Sequence, residues 1–386
     1  MAITRKLISP AEAQTPRSVY VHVPFCLRRC GYCNFTLVAG RDDLIDDYLQ
    51  AIEREMRTLD APHEVDTIFY GGGTPTHLPT PQLEQLLKLT IERFPPAPGY
   101  EWSVEANPAD LSDEKLDLLS HYGVNRISLG VQSFRDAKLE LLERDHRAAD
   151  AIDAAQRVRA TFARLAIDLI FAAPGETVDM WRDDVRQAID LGADHLSTYG
   201  LTFEKGTTFW NRLLHDDLEE VDEVTQREQY LAGIEMATAA GFEHYEVSNF
   251  ARPDCRCAHN ENYWLGGGYY AFGPGAARYV GGRRETNHRS TTRYIQKMLA
   301  GESPVAEWEE LTPEEIARER LIFGMRRLEG IDPADFAAAT GFEVDQLAGQ
   351  QLNDLESHGL IERSPERIRL TRAGLLVSDS IWPELL

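Results

Sequence analysis

Six times between Val19 and Ala240, a short apolar strand pattern gives way to a helical one, and this alternation limits the chain to very few folds. The strand patterns are Val19–Phe25, Thr67–Tyr70, Trp102–Glu105, Arg126–Gln132, Leu165–Phe171 and His195–Leu201. Between them run helical stripes such as Tyr48, Leu49, Ile52 and Met56, then Leu83, Leu87, Ile91 and Phe94, and later Trp181, Val185 and Ile189. Further helices are expected from about Ser112, as segments covering roughly Asp136 to Phe162, and from about Asp222 to Ala240. Strand–helix units of this length predict a parallel sheet with right-handed crossovers. Two more would complete a barrel, so six predict an open α/β partial (β/α)6 barrel of TIM type.

Parallel barrels place their chemistry at the C-terminal ends of the strands. After the first strand comes Cys26-Leu27-Arg28-Arg29-Cys30-Gly31-Tyr32-Cys33, three thiols at C-x3-C-x2-C spacing. Thiolates so close together hold Fe–S clusters, and three ligands for four irons leave one iron open to a ligand. Zinc would want a fourth Cys or His, and position 35 is Phe. A zinc knuckle or unrelated buried thiols are the alternatives. The second strand runs into Gly71-Gly72-Gly73-Thr74-Pro75-Thr76, where the backbone can approach a ligand closely. Glu105, Gln132, Asp168 and Tyr199 fall at later strand ends. Singly they read equally well as residues satisfying the barrel rim; together they favour ligand binding.

The cysteine loop resembles that of the radical S-adenosylmethionine (SAM) superfamily. His22-Val23-Pro24-Phe25-Cys26 and Cys33-Asn34-Phe35 are similar to the branch that holds oxygen-independent coproporphyrinogen III oxidases and heme chaperones. The resemblance implies a [4Fe-4S] cluster on Cys26, Cys30 and Cys33, with SAM on the open iron. It implies SAM contacts at Tyr20, Gly72, Gly73, Thr74, Glu105, Gln132, Arg144 and Asp168. An Arg forks readily onto a carboxylate, which suits Arg144 to the methionine end of SAM.

Past the sixth unit, His259-Asn260-x-x-Tyr263-Trp264 resembles the HNxxYW motif of the heme chaperones, which implies His259 as a heme ligand. Imidazole ligates heme iron, and Tyr and Trp offer flat faces to a porphyrin. Two other readings stand beside it. The segment could pack over the barrel mouth, or Cys255, Cys257 and His259 could hold zinc, though without an obvious fourth ligand. The motif is expected outside the barrel, presenting heme at an accessible surface. Leu265–Gly282, rich in glycine and aromatics, is expected to be a loop lining the barrel's open side.

Thr312-Pro313-Glu314-Glu315 starts a helix that Gly330 can end, Asp332-Pro333 a second, and Glu343–His358 a third. A hairpin around Ser364-Pro365 completes a winged-helix-like unit. Its third helix carries Glu343, Asp345, Asp354 and Glu356 and no Lys or Arg, the wrong sign for DNA phosphates. The expected divisions are an N-terminal segment 1–17, a partial barrel 18–250, a connecting segment 251–304 and the C-terminal unit 305–386.

A net charge of −23 argues against nucleic acid as a partner. There is no apolar run of membrane-spanning length and no signal-peptide core in Met1–Arg17. Five cysteines, three of them in one loop, suit a reducing cytoplasm. The expected function is a heme chaperone that binds a [4Fe-4S] cluster and SAM and delivers heme to acceptor hemoproteins such as respiratory-chain proteins, with a homodimer also allowed. The alternative is an oxygen-independent coproporphyrinogen III oxidase, a radical SAM decarboxylase of porphyrin biosynthesis; a more remote one is another radical SAM reaction such as methyl transfer. The chaperone is favoured because the oxidases resemble C-x3-C-x2-C-x-C, and here Phe35 stands in place of the last Cys. The first strand also begins by about Ser18, short of the oxidases' N-terminal extension, and the HNxxYW motif is present.

Overall fold

A computed structural model of the chain describes residues 6–9 and 12–385, so the expected segment 1–17 lies partly outside the described residues. The six expected strands form: β1 (Ser18–Val23), β2 (Val65–Gly72), β3 (Pro96–Ala106), β4 (Arg126–Gln132), β5 (Arg164–Phe171) and β6 (His195–Gly200). They lie side by side in chain order and every neighbouring pair is parallel. The open partial barrel is therefore the fold. Ser112, Thr177 and Asp222 each cap a crossover helix by accepting a backbone N–H three residues on.

Side chains alternate across the sheet, and the two faces have different jobs. Ile68 and Tyr70, Trp102 and Val104, Ile127, Leu129 and Val131, and Leu165, Ile167 and Leu169 are all fully buried, within one core shared with the crossover helices. Each aliphatic among them contributes about 1.5–3 kcal/mol relative to exposure. The alternate positions, Arg126, Ser128, Gly130 and Gln132 on β4 for example, face inward onto a cavity.

The sheet is wider than six strands. β7 (Glu243–Glu246) and β8 (Asn249–Ala251) continue it antiparallel beyond β6. At the other edge β9 (Tyr270–Phe272) pairs parallel with β1, Val19 opposite Tyr270. The stretch expected to be a loop from Leu265 to Gly282 thus contains a strand, and also starts a second sheet. That sheet is antiparallel: β10 (Ala277–Val280), β11 (Arg283–Asn287) and β12 (Val305–Glu310). A boundary at 305 cuts through it, and one at 250 cuts through β8. Short, polar strands such as Val305–Glu310, exposed over most of their length, carry too little apolar alternation to be read from sequence.

The helical segments expected over 136–162 are Asp136–Leu141 and Ala148–Thr161; between them Glu143 adopts a left-handed φ of 57° and turns the chain at Arg144. The helix opened by the Thr312–Glu315 capping box runs Pro313–Arg326 and stops before Gly330. Arg327 is extended there, bridging Glu246, and Leu328 N–H donates to the Tyr245 carbonyl at 3.1 Å. Helices Pro333–Thr340 and Val344–Ser357 and a hairpin of Ile361–Ser364 with Arg367–Leu370 complete the winged-helix-like unit, which a last helix, Ser378–Leu385, closes. No helix among the described residues is long and apolar enough to cross a membrane.

Candidate functional site

A cavity of about 550 Å³ opens inside the barrel, and most of the residues singled out from the sequence line it: Tyr20, Cys26, Cys30, Cys33, Gly72, Gly73, Thr74, Glu105, Gln132, Arg144, Asp168 and His259. Their geometry follows from the elements that carry them.

The cysteine loop leaves β1 and is fastened from two sides. Arg29 donates to the carbonyls of Cys33 (3.1 Å), Phe35 (3.3 Å) and Leu37 (2.8 Å), so one guanidinium fixes the loop's curvature. Arg289, far along the chain, donates to the carbonyl of Asn34 at 3.0 Å and to Thr36 Oγ1 at 3.2 Å. Cys26 Sγ meets Thr74 Oγ1 of the glycine turn at 3.4 Å. Burial lifts the Cys26 thiol to about 12 and raises Cys33 as well, so a metal bound there would displace their protons. Phe35, where the related oxidases resemble a fourth Cys, is 61% exposed at the cavity's lip.

The glycine turn is required sterically. Gly72 has φ +107°, and a Cβ there would lie 2.4 Å from the His22 ring. At Gly73 a Cβ would meet the Phe25 carbonyl oxygen at 2.8 Å. Gly72 N–H donates to Glu105 Oε2 at 3.1 Å, tying the turn to β3. Among the described residues no cation is bonded to Glu105, though the nearby Arg126 charge favours its ionised form. Burial, with Asp168 repelling it, pushes its carboxyl up to about 8. Burial also raises Asp168, which accepts from Ser128 Oγ at 3.2 Å.

Gln132 sits at φ 65°, past a register shift between Gly130 and Gln132 in the β4–β5 ladder. A bulge of this kind re-aims a side chain at a strand end. The next two residues are held by buried Asp184, which accepts Ser133 Oγ (2.7 Å) and Phe134 N–H (2.8 Å) and is itself bonded by buried Lys138 (3.1 Å). Arg144 reaches back from its turn to Cys30 Sγ at 3.3 Å, to the Gly130 carbonyl at 2.8 Å and to Asn107 Oδ1 at 3.4 Å.

His259 is placed otherwise than expected. The helix Ala258–Trp264 packs beneath the barrel, against the strands on the side of Ser18 and Thr67, so it presents His259 neither at an accessible surface nor over the mouth. His259 is 1% exposed, its Nδ1 2.8 Å from Thr67 Oγ1 and its Nε2 2.8 Å from the Tyr263 hydroxyl. Thr67 gives its proton to Ser18 Oγ, so it accepts from His259, and Nε2 accepts from Tyr263. Both ring nitrogens are occupied, and burial holds the imidazole neutral with its pKa down at about 3. Cys257 is buried near Glu101, and among the described residues no group of three or more His, Cys, Asp or Glu is arranged to hold a single metal ion, zinc at Cys255, Cys257 and His259 included.

Several lining residues escaped the sequence reading: Asn107, Arg126, Ser128 and Ser197. The signal was there. Arg126 and Ser128 stand four and two residues before Gly130, on the same inward row, and Asn107 stands two after Glu105. Arg126 Nε and Arg144 Nε are buried without hydrogen-bond partners, leaving guanidinium donors unsatisfied at this cavity.

A parallel partial barrel with three cysteines at its C-terminal rim is the architecture of a radical SAM core. The Radical SAM superfamily model matches residues 20–188, and the HemN C-terminal domain model matches 311–377, the winged-helix-like unit. The chain is 36% identical over 375 residues to the heme chaperone HemW of Bacillus subtilis, covering 96% of this chain and 99% of that protein. It is 34% identical over 379 residues to HemW of Escherichia coli, covering 95% and 97%. The chain belongs to the HemW family of radical SAM proteins. Its fold matches the structure of coproporphyrinogen III oxidase (HemN) from E. coli with a TM-score of 0.85 at 23% identity, over 97% of this chain and 91% of that one. Membership in the superfamily implies a [4Fe-4S] cluster and SAM.

Proposed function

We propose that the chain is a heme chaperone: it holds a [4Fe-4S] cluster and SAM in the barrel and delivers heme to acceptor hemoproteins. Cys26, Cys30 and Cys33 would ligate the cluster. Tyr20, Gly72, Gly73, Thr74, Glu105, Gln132, Arg144 and Asp168 would surround SAM. The donor set suits both groups, since three thiols face one cavity, the Glu105 carboxyl faces it with no cation bonded among the described residues, and Arg144 Nε has no acceptor. When bound, the cluster can supply an electron to SAM; the chain's own residues position and desolvate the ligand.

The observation that carries the choice over the oxidase is the charge of the cavity. Its lining has Glu105, Asp145, Asp168 and Glu204 against Arg28, Arg126 and Arg144, and no Lys. With Glu105 holding its proton at neutral pH the acids and the arginines balance, so the lining lacks the surplus of cations that a porphyrinogen bearing four propionates would need. Relatives that match this chain end to end are named heme chaperones, which supports the same reading.

The test is anaerobic reconstitution followed by parallel assays of hemin binding and coproporphyrinogen decarboxylation. Stoichiometric heme binding without decarboxylation is expected. Robust decarboxylation would replace the chaperone with the oxidase.

A further inference from the structure

The helix Ala258–Trp264 has two sides. His259 faces the barrel, while Trp264 lines a second cavity, of about 270 Å³, against the helix Pro313–Arg326. Trp264 and Phe323 stand there with ring centroids 6.0 Å apart, and the Arg326 guanidinium lies over Trp264 at 4.6 Å. These are flat apolar surfaces, and two further cations, Arg284 and Arg320, line the cavity. Arg284 is taken by Glu309 and Glu319.

Arg320 is not matched in this way. It is 2% exposed, it spends Nη2 on the Gly266 carbonyl at 3.0 Å, and its Nη1 has no hydrogen-bond partner. The acid that influences it, Glu12, is engaged by Ser9 through both N–H (2.8 Å) and Oγ (2.7 Å). A buried guanidinium with a free donor lowers its free energy by meeting an anionic oxygen. Aromatic walls with an unanswered Arg at their edge thus describe a site for a flat apolar molecule that carries a carboxylate. The volume falls just below that of pockets that enclose a whole drug-sized ligand. It suits an edge of a larger disc, leaving the remainder outside.

Resting on the reading that this chain carries heme, we infer that the cleft seats the propionate-bearing edge of the macrocycle. One carboxylate bonds Arg320 and the ring lies against Trp264 and Phe323. His259 takes no direct part, its ring being locked beneath the barrel. A carrier held by one edge leaves its cargo accessible to an acceptor.

The test is hemin titration of the full-length chain by absorbance, in the wild type, Arg320→Gln and Ile316→Trp, with iron protoporphyrin dimethyl ester as the carboxylate-free probe. Arg320→Gln removes the charge; Ile316→Trp fills the cleft from its wall and decides the matter if the first variant does not fold. Hemin affinity should fall on the order of tenfold in Arg320→Gln. In that variant the preference for hemin over the ester should shrink, and Ile316→Trp should lose binding. Iron held by the cysteine loop should not change in either. Equal hemin binding by all three proteins, or equal affinity of the wild type for hemin and ester, overturns the cleft and leaves the chaperone reading intact. A wild type that binds no hemin overturns both.

Discussion

Arg144 and Cys30 are bonded across the cavity, Nη1 lying 3.3 Å from Sγ, while the same guanidinium grips the Gly130 carbonyl at 2.8 Å. One side chain therefore joins the cysteine loop to the inward row of β4. It is anchored at two points, so its position is set before any ligand arrives.

For Arg144→Met we expect iron incorporation to persist and SAM affinity to fall on the order of tenfold or more, the loss of a charge-assisted hydrogen bond. Iron analysis and equilibrium binding of SAM on the same preparation check this. Loss of iron equal to that in a cysteine variant would make Arg144 part of cluster assembly instead.

Alanine at Cys26, Cys30 or Cys33 should each remove most reconstituted iron and its visible absorbance. Cys255→Ala and Cys257→Ala should retain it, because those thiols lie outside the cysteine loop, Cys257 being buried near Glu101.

Glu105 makes SAM binding and stability depend on pH. Its folded pKa of about 8 lies above the ordinary 4.5, so the ligand-free protein holds a proton there that the unfolded chain has released. That contribution to stability is complete below 4.5 and is lost as pH rises through 8. A cationic ligand favours the carboxylate, so SAM affinity should rise from pH 6.5 to 8 and release a proton on binding at the lower pH. In Glu105→Gln both slopes should flatten, read by melting temperature and calorimetry in two buffers.

His259→Ala should destabilise the protein by about 2–4 kcal/mol, by opening a cavity and leaving Thr67 and Tyr263 without their partner. The imidazole's pKa is lowered from 6.5 to about 3, so the unfolded chain takes up a proton that the native one refuses. Its contribution is present above 6.5 and is lost as pH falls toward 3. Urea midpoints at pH 7 and pH 5 should therefore differ less in the variant than in the wild type.

The core strands and the cysteine loop were readable because each rests on local pattern: two-residue alternation, tight ligand spacing, glycines at a strand end. Glu105 and Gln132 were readable for the same reason, as polar residues at the ends of apolar runs, and Asp168 as a lone acid within one. The position of His259 was not. Its contacts reach Thr67 near the start of β2, through it Ser18 at the start of β1, and Glu101 midway along β3, and only the pairing of these strands brings residues so far apart in the chain over one helix. β12 was missed because its residues alternate too little to mark a face.

Tyr263 borders both cavities, so the seven-residue helix Ala258–Trp264 is a partition with a tenant's room on either side. Its hydroxyl holds His259 on the barrel side, one residue before the indole on the other. Any tilt of the partition enlarges one room at the expense of its neighbour. Thermodynamic reciprocity then makes the relation mutual: whatever occupancy of the barrel does to affinity in the cleft, occupancy of the cleft does to affinity in the barrel, by the same factor.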